Sequence, residues 1–131
     1  MQLGLCAVFV DDVLLASVSA SMLDGDNLVI AVSTSGKTKD IIDAVNVAKS
    51  NDTPILSLTG NPTSPLTRLS DCVISAASSG AALTDSENEV YLSMMLTINS
   101  LCSYIRSIID KDGSKRYYRL REIVNSHSIN D

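Results

Sequence analysis

Apolar residues occur along the chain in two alternating patterns, short continuous runs and longer runs with helical spacing. The continuous runs predict strands buried on both faces, at residues 5–10, 28–32, 55–58 and 72–74. The runs with helical spacing predict helices at residues 13–23, 39–50, 65–69, 86–109 and 114–125. Asp11 or Asp12 is the expected N-cap of the first helix. This alternation predicts an α/β fold, in which a doubly wound, mostly parallel sheet of about four strands carries helices on both faces.

Length and composition agree with one such domain over residues 1–131. Hydrophobic residues make up 45% of the sequence, which argues against a disordered chain. Aromatic residues make up only 4%, and the sequence contains no Trp. The core is therefore expected to be aliphatic, which suits parallel strands covered by helices better than an antiparallel sandwich.

Charge and cysteine content narrow the classes of function. The net charge of −5 opposes nucleic-acid binding by the chain as a whole, although six of its ten basic residues lie between Arg106 and Arg121. Cys6, Cys72 and Cys102 lie far apart in apolar runs, so we expect buried, reduced thiols, a cytoplasmic location, no metal site and no cofactor. No apolar stretch reaches the roughly 20 residues that span a bilayer, and a basic signal-peptide region is lacking, so we expect no membrane contact.

The turn between strand 28–32 and helix 39–50 is the most hydroxyl-rich in the chain. It consists of Ser33, Thr34, Ser35, Gly36, Lys37 and Thr38. A helix N-terminus presents free N–H groups and partial positive charge, and a glycine lets the backbone approach a ligand closely. Lys37 either adds charge or points to solvent. The simpler alternative is an N-cap formed by Ser35 or Thr38, but a cap needs one hydroxyl and the turn has four. The turn therefore predicts an anion site.

A nucleotide-binding P-loop is a weaker interpretation of the same segment. Residues 31–38 nearly match G-x-x-x-x-G-K-[ST], but Ala31 replaces the first glycine and falls within the predicted strand. The remaining loop is too short to wrap a triphosphate, and no acidic residue ends a later strand to hold Mg²⁺.

Three segments resemble the SIS (sugar isomerase) domain family. Residues 24–44 resemble its hallmark, G-D, a hydrophobic run, S-x-S-G-x-T and a helix, and residues 55–71 are similar to its next strand and loop. The opening Leu3-Gly4, the stretch Ser19-Ala20-Ser21 and Leu23 look like the same domain in RpiR-type transcriptional regulators. The resemblance covers roughly residues 1–110 and implies an SIS/flavodoxin-like fold.

The resemblance also implies a ligand and two functions. By position, Ser33, Ser35 and Thr38 would hold the phosphate of a phosphosugar, with Thr34 supplying further contacts. The chain would then be the ligand-sensing part of a sugar-phosphate-responsive transcriptional regulator. The alternative is an aldose–ketose phosphosugar isomerase, which needs a carboxylate base such as Glu87 or Glu89. Those glutamates equally suit the dipole at the N-terminus of helix 86–109, and His127 is expected to be exposed.

The resemblance further implies a homo-oligomer, a dimer or larger, that forms through helix 86–109. That helix has a wide apolar face, and the side chains expected in the interface are Tyr91, Met94, Met95, Ile98, Cys102 and Ile105. Contact with DNA would be made only by a separate domain, which this sequence does not contain.

Compared with the family, the sequence is expected to lack the usual first strand and most of the first helix. The domain would then be N-terminally incomplete. The sequence leaves three ways to account for this: the chain is a fragment, another chain completes the sheet, or strands 5–10 and 28–32 pair directly.

Overall fold

A computed structural model of the chain describes residues 6–76 and 87–111, and gives only the backbone at residues 87, 88 and 109–111. The elements in chain order are α1 (Val13–Ser21), β1 (Val29–Ser33), α2 (Lys39–Ser50), β2 (Ile55–Thr59), α3 (Pro65–Leu69), β3 (Cys72–Ser75) and α4 (Glu87–Lys111). The predicted helix 114–125 and His127 lie outside the described residues.

The described residues group into two compact units. Val10–Thr97 is one unit and contains the whole described sheet, whereas residues 6–9 and 98–111 belong to the other. The prediction of a single domain over residues 1–131 stays a prediction.

The three described strands form one parallel sheet in the order β1-β2-β3. Val29 is paired with Ile55 and Ser33 with Thr59, while Thr59 is also paired with Ser75. All three strands therefore end at the same edge of the sheet. The predicted bounds of α2 and α3 agree with the structure, and the strands differ from their predicted bounds by no more than a residue at either end.

One face of the sheet is covered by α2. Ala31 of β1 and Ile55 of β2 pack with Val45 and Ala48 of α2 in a single buried cluster. This cluster follows from the sequence, because the apolar positions of α2 recur with helical spacing and form one stripe. Ala20 of α1 belongs to the same cluster.

Asp12 is the N-cap of α1, as one of the two predicted alternatives has it. Its side chain accepts from the Leu15 N–H at 2.8 Å.

The opposite face is covered by α4 only in part. Leu58 and Ala76 are buried together with Met94 of α4, and Val90 packs against the same cluster. On this face of β1, Ile30 and Val32 remain 51% and 42% exposed. Helices thus lie on both faces of a parallel sheet, which confirms the predicted α/β class.

The prediction of a strand at residues 5–10 is wrong for the part that the structure describes. Residues 6–10 have no regular secondary structure, and Val8 and Phe9 are exposed. An apolar run forms a strand only where a neighbouring strand accepts its backbone hydrogen bonds. β1 pairs with β2 and with no other described strand, so the direct pairing of 5–10 with 28–32 is also wrong, and three strands are described rather than four.

Two expectations about burial are also wrong. Cys6, Cys72 and Cys102 are free thiols but exposed. Cys6 lies outside any helix or strand, Cys72 lies on β3 at the edge of the described sheet, and Cys102 lies on α4. Met94, expected in an oligomer interface, is 4% exposed because it packs into the cluster of Leu58 within its own chain. No helix within the described residues is long and apolar enough to cross a membrane.

Candidate functional site

The predicted anion-binding turn lies at the carboxyl end of β1, where the chain enters α2. We call residues 33–38 the hydroxyl loop. Ligands of parallel α/β sheets bind outside the carboxyl ends of the strands, so the loop occupies the edge where a site is expected. Ala31 is buried inside β1. This confirms that it belongs to the strand and not to the loop, which was one of the arguments against a P-loop.

The first and last hydroxyls of the loop form a pair. Ser33 Oγ and Thr38 Oγ1 are 3.1 Å apart, and Ser33 Oγ also accepts from the Gly36 N–H at 3.1 Å. A hydroxyl carries one proton, so one O–H of the pair bridges the two oxygens and the other can donate to a ligand. The two ends of the loop, predicted to act together, are therefore brought together.

Thr38 is the N-cap residue of α2, yet its side chain makes no capping hydrogen bond. The first N–H groups of a helix have no acceptor within the helix. Because Thr38 Oγ1 is directed to Ser33 instead, the first turn of this 12-residue helix receives no side-chain acceptor from its cap. The alternative in which Thr38 is a plain cap is therefore wrong, and the Thr38 side chain leaves the N–H groups at the start of α2 without a cap acceptor.

The remaining polar residues of the loop are more accessible. Ser35 and Lys37 are exposed, and the Lys37 N–H donates to Ser35 Oγ at 3.2 Å. Ser35 thus keeps its O–H proton for an outside acceptor. Thr34 is half-buried, and its carbonyl oxygen is used within the fold. The Lys37 side chain brings a positive charge to the loop without an ion pair among the described residues.

Position 36 requires a glycine. Its φ of +63° lies in the left-handed region, and a Cβ there would collide with Oγ and Cβ of Ser64. The sequence predicted a glycine for close approach to a ligand, whereas the close approach seen here is to a neighbouring loop. The Gly36 carbonyl accepts from the Leu66 N–H at 3.2 Å, and this hydrogen bond connects the hydroxyl loop to α3.

The neighbouring segment, residues 60–64, is the β2–α3 loop, and it supports the hydroxyl loop. Thr34 O accepts from the Gly60 N–H at 3.0 Å and from Thr59 Oγ1 at 3.3 Å. Thr59 Oγ1 also accepts from the Asn61 N–H at 3.1 Å. Sequence reasoning missed these supporting residues. The available signal was that neighbouring parallel strands end at the same edge, so the turn after β2 had to meet the turn after β1.

Ser64 lies beneath Gly36 and is 1% exposed. Its hydroxyl has no hydrogen-bond partner among the described residues, although Ser64 is the N-cap of α3. A buried polar group without a partner is costly. Ser64 leaves no room for a side chain at position 36 of the hydroxyl loop.

The two candidate catalytic glutamates lie in the first turn of α4. Glu89 is exposed, and the side chain of Glu87 lies outside the described residues. Val90, one turn after Glu87, lies against the β2–α3 loop, because a Cβ on Gly60 would be 2.7 Å from Val90 Cγ1 and 3.0 Å from Thr34 O. The start of α4 therefore lies close to Gly60 of the β2–α3 loop, which in turn contacts Thr34 of the hydroxyl loop.

Together these features define a site that suits a tetrahedral oxyanion. Two hydroxyl protons, a helix N-terminus and a lysine lie within six consecutive residues, on a loop that hydrogen bonds hold in shape. Hydroxyl and backbone donors bind phosphate oxygens well because hydrogen bonds to an ionised acceptor are stronger than neutral ones.

Comparison with known proteins agrees with this geometry. A family model described as the SIS domain matches residues 2–101. Escherichia coli RpiR, an HTH-type transcriptional regulator, is 32% identical over 74 residues, which are 56% of this chain and 25% of RpiR. The N-acetylmuramic acid 6-phosphate etherase of Actinobacillus succinogenes is 28% identical over 107 residues, covering 74% of this chain and 35% of the etherase.

The structure of Vibrio vulnificus NanR complexed with ManNAc-6P matches with a TM-score of 0.71 and 32% identity. That match covers 98% of this chain and 48% of the NanR chain. This chain belongs to the SIS domain family. It spans less than half the length of each of these three relatives.

Proposed function

We propose that this chain is a phosphosugar-binding domain and serves as the ligand-sensing part of a sugar-phosphate-responsive transcriptional regulator. The hydroxyl loop, with Ser33, Thr34, Ser35, Gly36, Lys37 and Thr38, binds the phosphate group. A regulator of this kind acts in the cytoplasm and contacts DNA through a separate domain.

The observation that carries the proposal is that the Thr38 hydroxyl pairs with Ser33 and does not cap α2. A cap residue that turns its hydroxyl away from its own helix leaves the helix N-terminus to another acceptor. Phosphate is an acceptor of the right charge and size for the N–H groups and hydroxyls that converge there. The likeness to RpiR and to NanR in complex with ManNAc-6P supports the assignment of the phosphate to a sugar and of the domain to a regulator.

Calorimetry against ManNAc-6P, other hexose and pentose phosphates, the free sugars and inorganic phosphate tests the proposal. We expect binding of at least one sugar phosphate and none of the free sugars. Ser35→Ala and Thr38→Ala should each lower the affinity by about 1.5–3 kcal/mol, because each removes a hydrogen bond to a charged oxygen.

Ser50→Ala is the matched control for these two variants. Ser50 lies at the other end of α2 and its hydroxyl donates to Val47 O, so the same type of change there should leave the affinity unaltered. The proposal fails if Ser35→Ala and Thr38→Ala bind the sugar phosphate as tightly as the parent, or if no sugar phosphate binds at all.

A phosphosugar isomerase is the second candidate function. The contact between Val90 and Gly60 favours it, because the first turn of α4, with Glu87 and Glu89, begins beside the loop that supports the phosphate site. A carboxylate there has the chemistry of the base that moves a proton between C1 and C2. We favour the sensor, because Glu89 is exposed and both glutamates also suit the helix dipole.

A turnover assay with aldose and ketose phosphates separates the two functions. The sensor binds without converting its ligand. Isomerisation that is lost in Glu87→Gln or Glu89→Gln, with binding retained, would identify the enzyme instead.

A homo-oligomer formed through α4 is part of the proposal. Apart from Met94, the helix exposes a row of large apolar side chains, each at least 37% exposed: Tyr91, Leu92, Met95, Leu96 and Ile98. Exposed apolar rows of this length are typical of protein interfaces. Cys102 and Ile105 extend the predicted interface along the same helix.

Light scattering at micromolar concentration tests this assembly, which we expect to be a dimer or larger. Met95→Asp should dissociate it, because the change places a charge in the contact. Met22→Asp, at an exposed methionine that follows α1, is the control and should leave the mass unchanged. A parent chain that scatters as a monomer would refute this part of the proposal.

A further inference from the structure

The β2–α3 loop offers a second set of donors beside the hydroxyl loop. Asn61 follows β2 at the edge of the sheet, is half-buried, and has its own N–H fixed by Thr59 Oγ1 at 3.1 Å. The same Thr59 hydroxyl donates to Thr34 O at 3.3 Å. One hydroxyl therefore ties the backbone of Asn61 to the backbone of the hydroxyl loop.

The Asn61 side chain has a fixed orientation. Its Oδ1 accepts from the Thr63 N–H at 3.1 Å and from the Thr63 hydroxyl at 3.0 Å. A backbone N–H can only donate, so the atom it meets is the amide oxygen and not the nitrogen. The two bonds hold the oxygen toward Thr63 and direct the NH₂ group away from it.

The NH₂ group of Asn61 has no hydrogen-bond acceptor among the described residues. An amide nitrogen carries two protons, both suited to the oxygen of a hydroxyl or a carbonyl. Asn61 is half-buried and its amide nitrogen is not among the fully buried atoms without a partner, so water reaches the NH₂ group in the free protein and a ligand oxygen can take the place of that water.

We infer that Asn61 is a specificity-determining residue whose NH₂ group donates to a hydroxyl or carbonyl oxygen on the sugar part of the ligand. The inference rests on the proposed function and divides the ligand between two loops. The hydroxyl loop binds the phosphate, and the β2–α3 loop recognises the sugar through Asn61. Thr63 is a positioning residue that holds the amide.

The test compares the tightest-binding sugar phosphate of the panel with inorganic phosphate, by calorimetry on the full chain. Asn61→Ala should weaken sugar-phosphate binding about three- to tenfold, the range expected for one lost hydrogen bond. Inorganic phosphate should bind with less than about a twofold change, because the hydroxyl loop is untouched. A deoxy analogue that lacks the recognised oxygen should bind the parent and Asn61→Ala equally.

Two further changes separate recognition from mere folding. Asn61→Asp retains an oxygen for both Thr63 bonds but offers no donor, so the ratio of sugar-phosphate to inorganic-phosphate affinity should fall although the loop keeps its shape. Thr63→Val removes one of the two bonds that hold the amide and should lower that ratio by about two- to threefold, whereas Thr63→Ser should leave it unchanged.

Each other outcome overturns the inference in a distinguishable way. If Asn61→Ala binds the sugar phosphate as the parent does, Asn61 makes no contact, and the proposed function stands. If it weakens both ligands equally, Asn61 acts only by holding the hydroxyl loop. If the parent binds neither ligand, the proposed function and this inference fail together.

Discussion

The hydroxyl loop and the β2–α3 loop follow neighbouring parallel strands and are both rich in hydroxyls, yet their hydroxyls have different roles. In the hydroxyl loop, Ser35 and Thr38 are accessible at the start of a 12-residue helix. In the β2–α3 loop, Ser64 is buried and precedes a five-residue helix that begins with Pro65. Proline brings no N–H, so the start of α3 is a poorer anion site than the start of α2.

The comparison shows that loop composition alone does not identify a binding loop. What distinguishes the two is whether the hydroxyl at the cap position is accessible and what it bonds to. Thr38 pairs with Ser33 and stays at the surface, whereas Ser64 is enclosed under Gly36. The first loop keeps an accessible hydroxyl at its cap position, and hydrogen bonds from Thr59, Gly60 and Leu66 hold its backbone in place.

The largest expected effect comes from breaking the close contact between the two loops. Gly36→Ala should lower the free energy of unfolding by about 2–4 kcal/mol, through left-handed strain and a collision with Ser64. Urea denaturation measures the change. Gly25→Ala is the control, since its nearest neighbour would be Asp52 O at 3.7 Å and we expect a change of less than about 1 kcal/mol.

A double variant shows whether the collision is the cause. Ser64→Gly removes the two nearest atoms that a Cβ at position 36 would meet and leaves Thr59 Oγ1 at 3.0 Å, so Gly36→Ala should cost less in that background than in the parent. Equal costs in the two backgrounds would mean that the conformation of Gly36, and not Ser64, sets the requirement for glycine.

A smaller effect is expected from removing the hydroxyl that joins the loops. Thr59→Val should lower the free energy of unfolding by about 1–2 kcal/mol, because it leaves the Asn61 N–H without an acceptor. Thr53→Val is a closely matched control. Both threonines are almost fully buried, but Thr53 Oγ1 bonds to nothing among the described residues, so its loss should be neutral or stabilising in the same measurement. Equal losses in the two variants would contradict the supporting role of Thr59.

The smallest effect is expected at the charge of the hydroxyl loop. Lys37→Gln should weaken sugar-phosphate binding by about 0.5–1 kcal/mol at low salt, since an exposed charge is largely screened by water. Calorimetry at low and high ionic strength should find that the difference between parent and variant shrinks with salt. A difference that persists in salt would indicate a direct, desolvated contact between Lys37 and the phosphate.

Much of this architecture could be predicted from the sequence, because local patterns determine it. The helical spacing of α2 and the continuous apolar run of β1 located the hydroxyl loop correctly. The run at residues 5–10 failed because a strand depends on a neighbour that no local pattern reveals. Thr59 and Ser64 were missed for the same reason, since their contacts with Thr34 and Gly36 join loops that are far apart in sequence.

The hydrogen bond from the Leu66 N–H to Gly36 O makes one amide a reporter of the site. Leu66 lies in the first turn of α3, where an N–H has no acceptor within its own helix. Its protection from exchange with deuterated solvent therefore depends on the carbonyl of the other loop. The protection of this single proton therefore gives the free energy of local opening that exposes the Leu66 N–H in the free protein.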